Sequence, residues 1–127
     1  MYKRVVIIGI LFALLGVILG AFGAHGLKGS VTAEMLSSFE TGVRYQMYHA
    51  FALIIVGLTS YLNPKIKQTL CWIFSLGILL FSGSIYLLVL QSTSSLSITG
   101  IGFITPIGGL LFIIGWLIFL IKMCIND

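Results

Sequence analysis

The chain has 127 residues, of which 59% are hydrophobic and only 8% charged, against roughly 25% charged in an ordinary soluble domain. So few polar groups cannot cover a water-exposed surface, and the mean hydropathy of +1.17 agrees; a soluble globular fold is excluded, and a single all-α integral membrane domain over residues 1–127 is predicted. The seven Lys and Arg residues behind the net charge of +4 are scattered, so no basic run can track a phosphate backbone and nucleic acid is excluded as a partner.

A helical span needs ~20 predominantly apolar residues to cross ~30 Å of hydrocarbon. The first such stretch is Val5–Ala24, preceded by Lys3-Arg4. It resembles a secretory signal peptide, with Ala21-Phe22-Gly23 as a small-x-small site. The run is longer than the ~7–15 residues of a signal-peptide core, and its small residues fall on one helical stripe, so an intact span is expected. That stripe is Gly9, Ala13, Gly16, Gly20 and Gly23, spaced 4, 3, 4 and 3 apart. In lipid, small residues bring helices together by letting their backbones approach. The stripe therefore predicts tight packing, first within the bundle and alternatively between subunits.

Between His25 and Arg44 the chain is too long for a tight turn. Met35, Leu36, Phe39 and Val43 recur at helical spacing opposite Glu34, Ser37, Ser38 and Glu40. This predicts a short amphipathic helix over about 32–44, capped by Thr32 and lying at the outer interface. With no Gly-Pro break, it can run straight into the second span, Tyr45–Leu62, which Asn63-Pro64 is expected to end. The third span is Thr69–Leu90, with Gly77, Ser82, Gly83 and Ser84 as its small residues; residues 91–102 read as the outer loop. The fourth lies within Ile101–Met123, about 103–123, where Thr105 can cap a helix whose first turn holds Pro106, followed by Gly108, Gly109 and Gly115. Gly100–Phe103 can precede it as extended or re-entrant backbone. The fold class is thus a bundle of four transmembrane helices with an interfacial helix between the first two.

Orientation follows from the basic residues near the span ends. With the N-terminus inside, Lys3, Arg4, Lys65, Lys67 and Lys122 face the cytoplasm, against Lys28 and Arg44 outside. Both termini are therefore expected in the cytoplasm of a cell whose inner membrane holds the protein. Cys71 and Cys124 form no spaced motif and read as small apolar side chains.

The candidate site is a polar group expected at the outer leaflet: His25, Glu40, Arg44, Tyr45, Gln46, Tyr48 and His49. Tyr45/His49, Arg44/Tyr48 and Glu40/Arg44 are i, i+4 pairs, and the two histidines are expected at one depth, where they can meet. Polar groups at membrane depth are costly and face the bundle interior. The first reading is structural, with the histidines bonded to carbonyls and tyrosine hydroxyls. The second is a ligand or lipid-headgroup pocket around Arg44, and the third a metal or proton site. For zinc only Glu34 and Glu40 supplement the histidines, against the three or four ligands it takes. No Ser-His-Asp set, paired carboxylates in a span or Gly-rich phosphate loop occurs, so no catalytic residue, metal site or cofactor is expected.

Four ordered segments resemble a known family: Gly20-Ala21-Phe22-Gly23-Ala24-His25-Gly26-Leu27, Tyr45-Gln46-Met47-Tyr48-His49-Ala50, Phe81-Ser82-Gly83-Ser84-Ile85-Tyr86 and Ile104-Thr105-Pro106-Ile107-Gly108-Gly109. They are similar to those of the transmembrane-protein-256-like family, a domain of unknown function, along nearly the whole chain. The resemblance implies a multi-pass protein of bacterial inner membranes and no established reaction, substrate or cofactor. The small-residue seams and the lack of catalytic sets point to a non-enzymatic protein that acts by packing, in membrane integrity or as a partner subunit or homo-oligomer. The alternative is an oligomeric transporter, channel or ligand-binding component that uses the His/Arg/Tyr cluster.

Overall fold

The computed structural model describes residues 1–94 and 99–125, and every regular element among them is helical. Helix α1 spans Lys3–Phe22 and widens into a π-helical turn, Gly23–Leu27; α2 is Ala33–Leu58, α3 Pro64–Thr93 and α4 Ile101–Ile125. Three stretches are long and apolar enough to cross a membrane: Lys3–Leu27, Pro64–Thr93 and Ile101–Ile125. Helix α2 is long enough at 26 residues, but Glu34, Glu40, Arg44, Gln46 and His49 make its N-terminal half polar.

Local chemistry explains the boundaries and corrects three expectations. The Thr32 hydroxyl accepts from the Met35 N–H at 3.2 Å and caps α2. The amphipathic segment runs straight on into the second span, as the lack of a Gly-Pro break allows, and is the first half of α2 rather than a helix of its own. Pro64 does not end the second span; α2 stops at Leu58, and Pro64 opens α3 behind Asn63, whose side chain accepts from Ile66 N–H at 3.0 Å. Proline suits a first turn because its missing N–H is one that the helix leaves unpaired there. Helix α4 begins at Ile101, directly after Gly100 at φ 87°, so Gly100–Phe103 is neither extended nor re-entrant and Pro106 lies inside the helix. Thr105 does not cap it; its hydroxyl shares a hydrogen bond with that of Ser84. Residues 95–98 of the expected outer loop lie outside the described residues.

Each helix packs on the next, α1 on α2, α2 on α3 and α3 on α4, while α1 meets α3 only slightly. The main core gathers Val5, Leu53, Val56, Leu70, Phe74, Ile78 and Phe112; a smaller one at the other end holds Leu27, Phe39 and Val89. The end where α1 starts is fastened through one carbonyl in the last turn of α2. Gly57 O accepts from Tyr2 N–H at 2.7 Å and from the buried Lys67 ammonium at 3.2 Å, a cation where the helix dipole favours one. The Tyr2 hydroxyl also donates to Gln68 Oε1 at 3.3 Å. The starts of α1 and α3 therefore lie at the same end of the molecule.

Candidate functional site

The buried residues of α2 include Phe39, Gly42, Gln46, His49, Leu53 and Val56, a stripe at three- and four-residue spacing. Two members of the candidate cluster, Gln46 and His49, lie on it. Glu40, Arg44 and Tyr48 lie on the exposed side, and His25 is exposed in the π-helical turn. Glu40 and Arg44 form no ion pair among the described residues. Tyr45 lies between the two sets: it is 38% exposed, yet its ring is 4.8 Å from that of Phe81.

The two histidines do not meet. Helix α1 runs antiparallel to α2, and its contacts fix the register. A methyl group on Gly9 would lie 2.8 Å from Ala50 O, one on Gly16 2.5 Å from Met47 Sδ, and one on Gly23 2.7 Å from the Phe39 ring. His49 therefore stands level with residues 9–16 of α1. That leaves at least nine residues, roughly 13 Å of helix, between its level and that of His25. Sequence spacing placed both histidines near span ends, but the continuous α2 carries His49 a further four turns inward from its cap. Among the described residues no three His, Cys, Asp or Glu side chains come together.

His49 is enclosed by aromatic rings. Phe112 stacks on it at 3.5 Å and 9°, with Phe74 at 5.5 Å and Trp116 edge-on at 5.9 Å. Trp116 Nε1–H donates to His49 Nε2 at 3.0 Å, and His49 Nδ1 is 2.7 Å from Tyr45 O. An indole N–H only donates and a carbonyl only accepts. Nε2 must then carry the lone pair and Nδ1 the hydrogen, which fixes the neutral Nδ1–H tautomer and uses both ring nitrogens. Beside the ring, Tyr45, His49, Pro106, Gly109 and Trp116 border an open cleft of about 550 Å³ between α2 and α4.

Gln46 joins three helices. Its Nε2 donates to the Phe12 carbonyl of α1 at 2.9 Å, and its Oε1 accepts from the Tyr86 hydroxyl of α3 at 2.7 Å. One turn earlier on α2, Gly42 O accepts from the Ser82 hydroxyl at 2.6 Å. Sequence reading missed Tyr86 and Trp116, the partners of the two buried polar groups. The available signal was their placement: polar-tipped aromatics usually gather at the membrane surface, whereas these two sit well inside their helices.

The small-residue candidates fall into groups. Gly9 and Gly16 of α1 and Gly23 of the π-helical turn are buried against α2 of the same chain, with Gly20 beside Val43 and Ala13 half-buried. Gly108 is buried against the Phe81 backbone, with Gly109 next to the Phe81 ring, and Gly115 meets Phe74. Gly83 faces open space.

Residues 19–109 match the family described as "Protein of unknown function (DUF423)". A UPF0382 membrane protein of Staphylococcus aureus (strain bovine RF122 / ET3-1) is 45% identical, over 94% of this chain and 93% of the relative. The UPF0382 membrane protein YwdK of Bacillus subtilis (strain 168) is 44% identical, over 94% of each chain. No solved structure matches the chain. The chain belongs to the DUF423 family and is a multi-pass membrane protein of a family whose function is unknown.

Proposed function

We propose that this protein is a non-enzymatic, four-span protein of the bacterial cell membrane that acts through its apolar outer faces, in membrane integrity or as a partner subunit. The observation that carries this reading is that the two buried polar members of the candidate cluster, Gln46 and His49, are engaged within the chain. Gln46 and His49 bond to Phe12, Tyr86, Tyr45 and Trp116, and the glycine stripe of α1 packs on α2. What points outward is apolar: Ile7, Leu14 and Ile18 on α1, and Leu110, Leu117 and Ile121 on α4. Such faces suit lipid or another membrane helix.

The four-span count draws support from connectivity. Helices α1 and α3 start at the same end, so α2 has to bring the chain back across whatever thickness α1 crosses. Its Gln46 and His49 are hidden inside the bundle, and Ala50–Leu58 is apolar. The basic end, with Lys3, Arg4, Lys65, Lys67 and Lys122, supports cytoplasmic termini. The likeness to transmembrane-protein-256-like proteins fits the same topology.

The cleft beside His49 favours a second reading, a ligand-binding component or an oligomeric transporter. The two separate in thermal unfolding of the detergent-solubilised protein. On the packing reading, His49→Ala lowers the melting temperature, and metals or small anions do not raise that of the wild type. A saturable rise that disappears in His49→Ala would overturn it in favour of the cleft.

A further inference from the structure

Glycines hold α1 against α2, but no such seam joins α1 to α3. Between the two helices at the basic end lies a cavity of about 270 Å³. Its walls are apolar, formed by Val5, Ile8 and Phe12 of α1 facing Trp72 of α3, and Arg4, Tyr2 and Gln68 stand at its mouth. From Arg4 to Phe12 the cavity follows eight residues, about 12 Å of helix, close to the ~15 Å depth of one leaflet's hydrocarbon.

Charge separates the two ends of the protein. The carboxylates among the described residues are Glu34 and Glu40, both in the N-terminal half of α2 and so at the far end from Arg4. The exposed Arg4 and its neighbour Lys3 therefore lack a counter-ion among the described residues, at the level where lipid headgroups lie. The cavity is a small slot between two helices, lined mainly by apolar side chains. It suits a length of acyl chain, and its volume is far less than a helix ~10 Å across would need.

We propose that the cleft between the basic ends of α1 and α3 binds an anionic phospholipid, its headgroup phosphate at Arg4 and one acyl chain along Val5, Ile8 and Phe12. The site is distinct from the His49 cleft and independent of the packing reading. Stabilisation by this lipid persists in His49→Ala and disappears in Arg4→Gln, so either idea can fail alone.

Trp72 supplies the test. The chain has two tryptophans, so Trp116→Phe leaves Trp72, 64% exposed at the cleft, as the sole reporter. The full chain is reconstituted into phosphatidylcholine vesicles with increasing shares of brominated phosphatidylglycerol or brominated phosphatidylcholine. Quenching is expected to give phosphatidylglycerol about a fivefold preference, the ratio for one cation beside an anionic headgroup. Arg4→Gln is expected to bring that ratio close to one. Ser75→Leu should fill the cleft and remove the preference. Circular dichroism checks that this variant keeps its helix content. Equal quenching by both lipids, or a preference unchanged by Arg4→Gln, overturns the proposal. Displacement by inorganic phosphate would assign the site to free phosphate instead. Shielding of Trp72 from both brominated lipids would mean that a second copy covers the cleft, and the lipid assignment fails.

Discussion

Helix α2 has two interfaces built on opposite principles. Toward α1 it meets glycines, and the backbones approach so closely that a methyl group on Gly9 would lie 2.8 Å from Ala50 O and 3.0 Å from Ile54 N. Toward α3 and α4 it presents an imidazole filled in by the rings of Phe74, Phe112 and Trp116. In lipid neither side gains from a hydrophobic effect between helices, so both depend on contact and hydrogen bonds. At Gly9, Gly16 and Gly23 the first has no room for an added atom. The second tolerates no loss, because large side chains fill the space between α2 and α4, whose backbones make no close contact.

This contrast predicts opposite sensitivities. The largest effect is expected from Gly9→Val, whose side chain must push α1 off the Ala50–Ile54 backbone. A cost of about 3 kcal/mol is expected, at the upper end for overpacking, read as a fall in the chemical or thermal midpoint in mild detergent. Gly20→Ala controls for composition: its nearest atom would be Val43 Cγ1 at 3.4 Å, a contact that a small shift relieves, so the midpoint should barely move. If both variants behave alike, the seam is not the close contact described.

On the aromatic side, truncation is expected to hurt where addition hurt before. His49→Ala leaves a gap beneath Phe112 and Trp116 and should cost about 2 kcal/mol, the lower end for large-to-small changes. His49→Phe keeps the stacked ring and loses the bonds to Trp116 and Tyr45, so it should recover part of that loss. A red-to-blue change in Trp116 emission on losing its acceptor, in a Trp72→Phe background, would report the bond separately from stability. Equal destabilisation by Ala and Phe would mean that the hydrogen bonds, rather than the packing, dominate here.

How far the sequence reveals these interfaces depends on the range of the interaction. The stripe of Gly9, Gly16 and Gly23 lies on one helix, so its face was legible from spacing alone, and so was the Thr32 cap. The membrane class followed from the shortage of charge. Pro64 was ambiguous, since proline both follows helix ends and opens helices, and it was read as an end. Lys67 is in fact buried on the Gly57 carbonyl, ten residues away across the connection. The polar cluster was read as one group because its members are adjacent in sequence. Gln46 and His49 share a helical stripe with Phe39, Leu53 and Val56, but their partners Tyr86 and Trp116 lie 40 and 67 residues further on, and no local periodicity identifies those.

A smaller effect is expected where the two sides of α2 meet. Gln46 bonds both to α1 through Phe12 O and to α3 through Tyr86. Gln46→Leu keeps the volume and removes both bonds, leaving the Tyr86 hydroxyl without its acceptor. Hydrogen bonds inside membrane bundles average only ~0.6 kcal/mol each, so a loss of about 1 kcal/mol is expected. Tyr86→Phe in the Gln46→Leu background should then add almost nothing. A double-mutant cycle with no coupling between 46 and 86 would show that the bond between α2 and α3 is not formed.

The smallest effect tests the comparison from its other edge. Gly83 stands between Ser82 and Ser84, whose hydroxyls bond to Gly42 O and to Phe81 O, and by sequence it belongs with the packing glycines. Space decides otherwise, since a methyl group there would meet nothing within 4 Å. With no clash to offset it, the general helix preference for Ala over Gly, up to ~1 kcal/mol in water, is the main term left. Gly83→Ala should therefore leave the midpoint unchanged or raise it slightly, whereas Gly108→Ala, on α4 against the Phe81 backbone of α3, should lower it. A marked loss in Gly83→Ala would place another surface against that face of α3, and a second copy of the chain would then be the first partner to examine by cross-linking.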